Sequence, residues 1–600
     1  MPVLDLLKAG WIIVTFLLVF FWVPSRLFGR RSTSAYIIWV AGNFVRMLIC
    51  VAASILFLTG IKVLGAITVV LFLVAALGIS WLRNHSWQVR GVIGSVQDKT
   101  LKLVRRAESQ ALTKFVDADA EPKPISFHLP RFLQLNFWLA LLENREVLIA
   151  AFVLVFVVSA ALSWQIPIHQ LRYEHVEQYG VLLRAREFAL NLHTIGRPFV
   201  VPSALVTTSL ISAVDLSQVT RYLSPLIGIL LVLSLGLFVR ICTRTGAGGI
   251  VAMYCLGAAA LPPTSAPAEV ATTLREKLLG LLDYTPSVTR PGPEFALGLI
   301  LLLLGLSFLA DWYRNGGRDS LIDVLCCLVL VSIVSQYLLV IFLVAGAAML
   351  LGPWVGIIAF IVFCYGSAIF ATVNSGVLPN DVFTVLPLVA GIAAGCFIAF
   401  VHSALAPLTG KRTDAVVLAV CLVVAAVWLR PHDLTAQFLE FESAAQQSRK
   451  ISQSLPRQRW VVVAPVEQLP ETFGFGGYED LAGFVQKYQH QVNDPGFEFK
   501  DAPEDYLIYV EKVPFQMFAS EPAMLSFATL TDSTYRNYRS PAGRASLESD
   551  AMQLCESYRA SHSNVTIYYE DNELRIYRIH TPPKPPLALN RLDGRSLSFN

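Results

Sequence analysis

The chain has 600 residues, 55% of them hydrophobic and only 15% charged, with a formal net charge of +4 and a mean hydropathy of +0.57. Soluble domains carry about 25% charged residues, so a single soluble fold is excluded, and so small a net charge argues against nucleic acid as a partner. Eight of the nine cysteines lie in or beside apolar runs and only Cys555 sits in soluble sequence, which leaves no basis for a disulfide framework or a zinc site.

Repeated apolar runs of roughly 15–25 residues indicate a polytopic helical membrane protein. About twelve membrane helices are predicted, near 10–23, 36–60, 62–81, 147–164, 223–240, 248–263, 295–310, 321–335, 337–351, 352–373, 386–405 and 414–429. The first run is short and is followed by Arg26, Arg30 and Arg31, so it reads as a retained anchor with its C-terminal end in the cytoplasm. Residues 1–82 then form a three-helix membrane extension. Residues 83–146 form a basic cytoplasmic loop, since ten Lys or Arg residues lie between Arg83 and Arg145. The run 147–164 therefore crosses outward, and residues 165–222 form a large first external loop of a membrane core spanning 147–430.

That loop opens on LRYEHVEQYG, Leu171 to Gly180. As a helix, residues 172–190 gather Val176, Tyr179, Leu183 and Leu190 on one side and Glu174, Glu177 and Arg184 on the other. The reading is an amphipathic helix along the membrane surface with a carboxylate pair on its wet face. A wet face needs charges in any case, so a solvated helix surface stands beside any chemical role.

Leu321 to Leu351 is either one long helix or a hairpin of two short ones breaking near Ser335-Gln336. One helix would put Lys411 and Arg412 outside and the C-terminal region inside. A hairpin keeps that basic pair cytoplasmic and puts the C-terminal region outside, which the positive-inside rule favours. Half-length helices are tolerated where protein buries them.

Residues 431–580 have the composition of a soluble α/β domain. Trp460 to Pro465 and Asp505 to Lys512 read as strands, Tyr478 to Tyr488 and Ser546 to Ala560 as helices. Val565 to Tyr569 and Leu574 to Ile579 read as a hairpin turned at 570–573. The proline-rich stretch from Pro582 begins a tail, 581–600, expected to be disordered. Three suggestive motifs carry little. Asp117-Ala118-Asp119 has the DXD form but lies in the cytoplasmic loop. Gly474-Phe475-Gly476-Gly477 lacks the third glycine of a dinucleotide fingerprint and reads as a turn. Tyr535-Arg536-Asn537-Tyr538-Arg539 reads as an exposed strand or loop.

A large first external loop, opening with an acidic residue just after a membrane helix and continuing as a surface helix, resembles the GT-C glycosyltransferase superfamily. That superfamily includes protein mannosyltransferases, aminoarabinose transferases and oligosaccharyltransferase catalytic subunits. The succession of further helices and the C-terminal α/β domain is similar too, over roughly residues 147–580. The fold class expected is therefore an α-helical polytopic membrane protein with a GT-C-like core and a C-terminal soluble α/β domain. The resemblance implies transfer of a sugar from a polyprenyl-phosphate-linked donor to an extracytoplasmic acceptor at a bacterial plasma membrane. It implies Glu174 as the catalytic carboxylate with Glu177 in reserve, since a carboxylate beside a poor nucleophile can take its proton as the bond forms. His175, Arg184 and Arg275 would bind substrate, and Asp381 would hold a divalent metal, Mg or Mn, against the donor phosphate. Asn380-Asp381 serves equally as a turn before a helix, where Asn or Asp caps. The chain departs from the family in presenting Glu-His-Val-Glu where those enzymes typically present an aspartate, and it lacks a WWD-type motif.

Besides the lipid-linked donor and membrane lipids, the partner weighed is a protein of the envelope. In that alternative the chain is a non-catalytic GT-C-like subunit whose external domain binds it. A transporter fits less well, because the membrane runs hold almost no ionisable residues apart from Arg46 and Asp323.

Overall fold

The computed structural model describes residues 2–28, 36–71, 74, 145–173, 175–192, 199–257, 292–375, 380–409, 413, 416–421, 440–492, 494, 496–499, 504–513 and 541–582. Asp117 to Asp119, Tyr535 to Arg539, most of the 83–146 loop and the tail beyond 582 lie outside them.

Among the described residues, six helices are long and apolar enough to cross a membrane: Asp5–Leu27, Tyr36–Gly60, Leu216–Thr243, Pro293–Asn315, Pro353–Ala371 and Thr384–Pro407. Shorter apolar helices are Leu148–Trp164, Val200–Ser212, Gly246–Gly257 and Gln336–Met349. The chain is thus a multi-pass membrane protein by its helices, with six full-length candidates where the sequence suggested about twelve spans. The predicted runs 62–81, 248–263 and 414–429 lie partly outside the described residues, and elsewhere the difference lies in helix length. Several apolar runs fold as helices of 12–17 residues, at 1.5 Å per residue shorter than the ~30 Å hydrocarbon layer.

In chain order, α1 (Pro2–Leu17) continues through a π-helical turn at Leu18–Trp22 into α2 (Val23–Leu27), and α3 spans Tyr36–Gly60. The core contains α4 (Arg145–His169), α5 (Val176–Ala189), α6 (Val200–Ser212), α7 (Leu216–Thr243), α8 (Gly246–Gly257), α9 (Pro293–Asn315), α10 (Arg318–Val334), α11 (Gln336–Met349), α12 (Pro353–Ser375) and α13 (Asn380–Thr409). At the centre stands α9, in which every residue from Pro293 to Asp311 is buried.

The ambiguous stretch 321–351 is a hairpin. Ser335 is extended (φ −155°, ψ 128°) between α10 and α11, and its hydroxyl accepts from the Leu338 N–H at 3.4 Å. Contacts along α9 give the directions. Gly298 faces Val334 and Leu338, Gly305 faces Cys327 and Phe342, and Leu309 lies over Gly346. So α10 runs antiparallel to α9 and α11 returns parallel to it. Glycine at 298 and 305 admits both short helices against a buried one, which is how half-length segments are accommodated.

The two ionisable residues singled out in the membrane runs meet. Arg46 Nε on α3 lies 2.7 Å from Asp323 Oδ1 on α10, and Asp323 is fully buried. The approach depends on Gly42, where a Cβ would stand 2.3 Å from Asp323 Oδ2. The pair ties the N-terminal extension to the core across 277 residues of sequence.

The C-terminal domain opens with α14 (Glu442–Ser454), then β1 (Trp460–Ala464), α15 (Leu469–Thr472), β2 (Gly477–Asp480), α16 (Leu481–Tyr488), β3 (Asp505–Glu511), α17 (Pro541–Ser561), β4 (Val565–Glu570) and β5 (Leu574–His580). The sheet order is β2-β1-β3-β5-β4. The first three strands are parallel, and β5 pairs antiparallel with both β3 and β4. Apolar clusters fill both faces, one around Phe484, Phe499 and Tyr558, the other around Trp460, Tyr509 and Ile576. The expected strands and terminal hairpin are present, and Gly474 (φ 85°) lies in a turn. The expected helix 478–488 instead begins at Leu481. Its first residues form β2, with Asp480 as the cap, whose carboxylate accepts from the Gly483 N–H at 3.2 Å.

Candidate functional site

The loop 165–222 and the C-terminal domain meet over α5. The face bearing Tyr179 and Leu183 does not rest on the membrane as expected; it is covered by the soluble domain. The Tyr179 hydroxyl donates to Glu440 Oε1 at 2.6 Å. Leu183 packs with Leu469 and Phe473 beside Leu190 and Leu192. Val181, Leu182 and Ala185 belong to the membrane core's own apolar cluster. The helix is therefore enclosed between the two parts of the molecule. Helical periodicity identifies an apolar face but not which partner covers it.

A buried polar network surrounds that contact. Tyr173 donates its hydroxyl to Glu471 Oε1 at 2.6 Å. Arg186, 5% exposed, stands 3.6 Å from Glu471 and 3.5 Å from Asp215. Arg449 reaches Glu471 from α14 at 3.7 Å. Two carboxylates and two guanidiniums thus balance. Burial works against the Asp215 carboxylate, but Arg186 and hydrogen bonds from Ser217 hold its pKa below the ordinary value.

Among the described residues Glu440 has no such counter-ion. It is 2% exposed and takes hydrogen bonds from Tyr179 and from the Gln468 amide. Burial pushes its pKa up to about 8, against the two hydrogen bonds and with help from Glu471 and Glu467. The carboxyl is therefore protonated at neutral pH. Nearby, the Glu442 carboxylate accepts from the Leu171 and Arg172 N–H groups at 2.8 and 3.2 Å. This binds the start of the loop to the head of α14.

The opposite face of α5 carries Glu177 and Arg184, as the helical spacing implied. It meets the head of α9. Glu177 Oε2 accepts from the Phe295 N–H at 3.5 Å, a favourable place for a carboxylate at a helix N-terminus. Arg184 Nη1 lies 3.0 Å from Glu294 Oε2. The wet face expected here is thus an ion-paired contact, and Glu294 is the partner not singled out from sequence. Its signal was Gly292-Pro293-Glu294, with glycine before, proline at and an acid just inside a helix start.

His175 stands at the N-cap of α5, its backbone N–H donating to Gln178 Oε1 at 2.9 Å. Glu174 and Arg275 lie outside the described residues. Asp381 is in the first turn of α13, as the helix-start reading has it, and its side chain is likewise outside them. The two described acids at this contact are otherwise engaged. Glu177 serves a helix N-terminus and Glu294 serves Arg184, and among the described residues no group of three or more His, Cys, Asp or Glu could hold a metal ion.

A second buried charge group was not legible in the sequence. Arg544 of α17 donates to both oxygens of Glu511 at 2.8 and 2.6 Å and to Glu467 at 3.1 Å. Glu548 accepts from the Glu511 N–H at 2.8 Å, and burial, reinforced by Glu511, holds its pKa well above the carboxylate range. The group lies at the carboxyl ends of β1 and β3. Its members come from three separate segments, the turn at Val466–Gln468, β3 and α17, so sequence spacing brings only Arg544 and Glu548 together.

No protein-family model matches the chain, nor does a curated protein or a solved structure.

Proposed function

We propose that this chain is a multi-pass subunit of a bacterial plasma membrane that holds its C-terminal α/β domain in a fixed position on the extracytoplasmic side, where the domain binds a protein of the envelope. The observation that carries this reading is the enclosure of α5. Its Tyr179 and the adjacent Tyr173 donate to buried carboxylates of the soluble domain, while its Glu177 and Arg184 are engaged by the head of α9. A loop used on both faces for assembly serves as a mount. The basic residues support the orientation, since Arg26, Arg240 and Arg244 lie at the ends of their helices away from the first loop.

One observation favours a second reading, sugar transfer from a polyprenyl-phosphate donor. Glu177, Arg184 and Glu294 bring two acids and a cation together at a helix head directly after Glu174. A carboxylate base beside a cation that meets phosphate is what such chemistry needs.

One experiment separates the two. Chains carrying Glu174→Gln, Glu177→Gln or Leu183→Asp are returned to a deletion strain, and its envelope phenotype and its transfer from a lipid-linked sugar are measured. The mount requires both glutamine variants to restore the strain and Leu183→Asp to fail. Loss of transfer and of restoration in Glu174→Gln, with the protein still folded in the membrane, sinks it and establishes the transferase.

A further inference from the structure

An apolar cleft of about 750 Å³ separates the N-terminal extension from the core. Its walls are Ile37 and Val40 of α3, Ile149 and Phe152 of α4, and its floor includes Met253 of α8. The volume lies within the roughly 300–1,000 Å³ of small-molecule sites. Ile37, Ile149 and Phe152 are 48%, 59% and 40% exposed, so the cleft opens sideways towards lipid, while Met253, at 3%, closes its floor.

The lining contains one cation, Arg240. It sits in the last turn of α7, and Arg244 caps that helix in a left-handed conformation (φ 62°). From α9, Arg314 donates to the carbonyls of Ile241 and Cys242. Arg240 thus lines the cleft, and Arg244 and Arg314 stand at the same end of α7. None of the three pairs with a carboxylate among the described residues. A helix C-terminus attracts cations, which accounts for Arg314, whose fork is spent on carbonyls, and for a cation in the last turn of α7. It does not by itself account for Arg240 lining an apolar slot.

We propose that the cleft holds an acyl chain of an anionic phospholipid, with the headgroup phosphate on Arg240. The apolar walls take the chain, and a planar guanidinium suits a phosphate. A basic site between membrane helices at the positively charged membrane face is a setting for anionic lipid. The lipid would fill the seam between extension and core that the Arg46–Asp323 pair spans elsewhere.

The test uses the purified full-length protein in detergent. Native mass spectrometry measures retention of added phosphatidylglycerol and of phosphatidylcholine with the same chains. Phosphatidylglycerol is expected to be retained roughly ten-fold more strongly. Arg240→Gln is expected to lower it to the phosphatidylcholine level, and Val40→Trp, which fills the slot, to reduce both lipids. Equal retention of the two lipids by the unaltered chain overturns the assignment, as does a preference that survives Arg240→Gln or binding that survives Val40→Trp. Stronger retention of a polyprenyl phosphate than of phosphatidylglycerol would overturn the identity of the occupant.

Discussion

Glu440 gives the domain contact a pH dependence whose direction is fixed by its surroundings. Its carboxyl has an ordinary value of 4.5 and titrates at about 8 when buried beneath Tyr179 and Gln468. Between those values the unfolded chain has released the proton and the folded one still holds it. Stability therefore falls as pH rises from about 4.5 and levels off above about 8. At 1.36 kcal/mol per unit, the penalty at pH 7 is roughly 3 kcal/mol, with a ceiling of about 5 kcal/mol. Glu440→Gln removes it. The amide oxygen still accepts from Tyr179, and Gln468 can turn its own amide over, leaving Ser448 to Tyr509, 2.9 Å away. The variant should match the unaltered protein near pH 4.5 and exceed it progressively towards pH 8, by thermal unfolding of the purified protein in detergent. The infrared carbonyl absorption of protonated carboxyls at neutral pH should lose the Glu440 contribution, with that of Glu548 remaining. A variant that is less stable at pH 8, or a difference that does not change with pH, refutes the reasoning.

Three further outcomes follow from buried contacts. Arg544→Met strands Glu467 and Glu511 in a site where Arg544 is 1% exposed. Breaking such a group costs about 3–5 kcal/mol, so β3 amides should exchange with solvent much faster, and adding Glu511→Gln should recover part of the loss. Gly42→Ala drives a methyl into Asp323 and should lower the unfolding midpoint, whereas Gly10→Ala, with no atom within 4 Å of the added carbon, should not. Arg184→Met leaves Glu294 without its cation; the double variant with Glu294→Gln should be less damaged than the single losses sum to, with a coupling of roughly 0.5–3 kcal/mol.

The sequence revealed elements better than partners. Apolar run length located the helices, and alternation located β1, β3 and the β4–β5 hairpin, because burial is written into local periodicity. The break at Ser335 was legible as a polar pair inside an apolar run, and Glu177 and Arg184 fell on one helix face as their spacing required. What covers a face is a tertiary fact. Tyr179 and Leu183 looked membrane-directed because nothing local distinguishes lipid from a soluble domain arriving some 260 residues later. The strand at Gly477–Asp480 was hidden for a related reason, since a four-residue strand in a parallel sheet carries too little pattern to outweigh the helix it precedes. Arg46 and Asp323 stood out singly by their cost in an apolar run, and only the fold makes them a pair.

The seating of the C-terminal domain on the first-loop helix is tested most directly by cross-linking. Leu183→Cys and Phe473→Cys are introduced together, with the lipid-exposed Cys50 replaced by serine, and intact cells are treated with a short thiol-reactive linker. Because Leu183 and Phe473 lie in one apolar cluster, the double variant should cross-link within the chain and neither single variant should. If the pair remains unlinked while the protein is folded in the membrane, the first loop and the C-terminal domain do not meet, and the proposed mount is wrong.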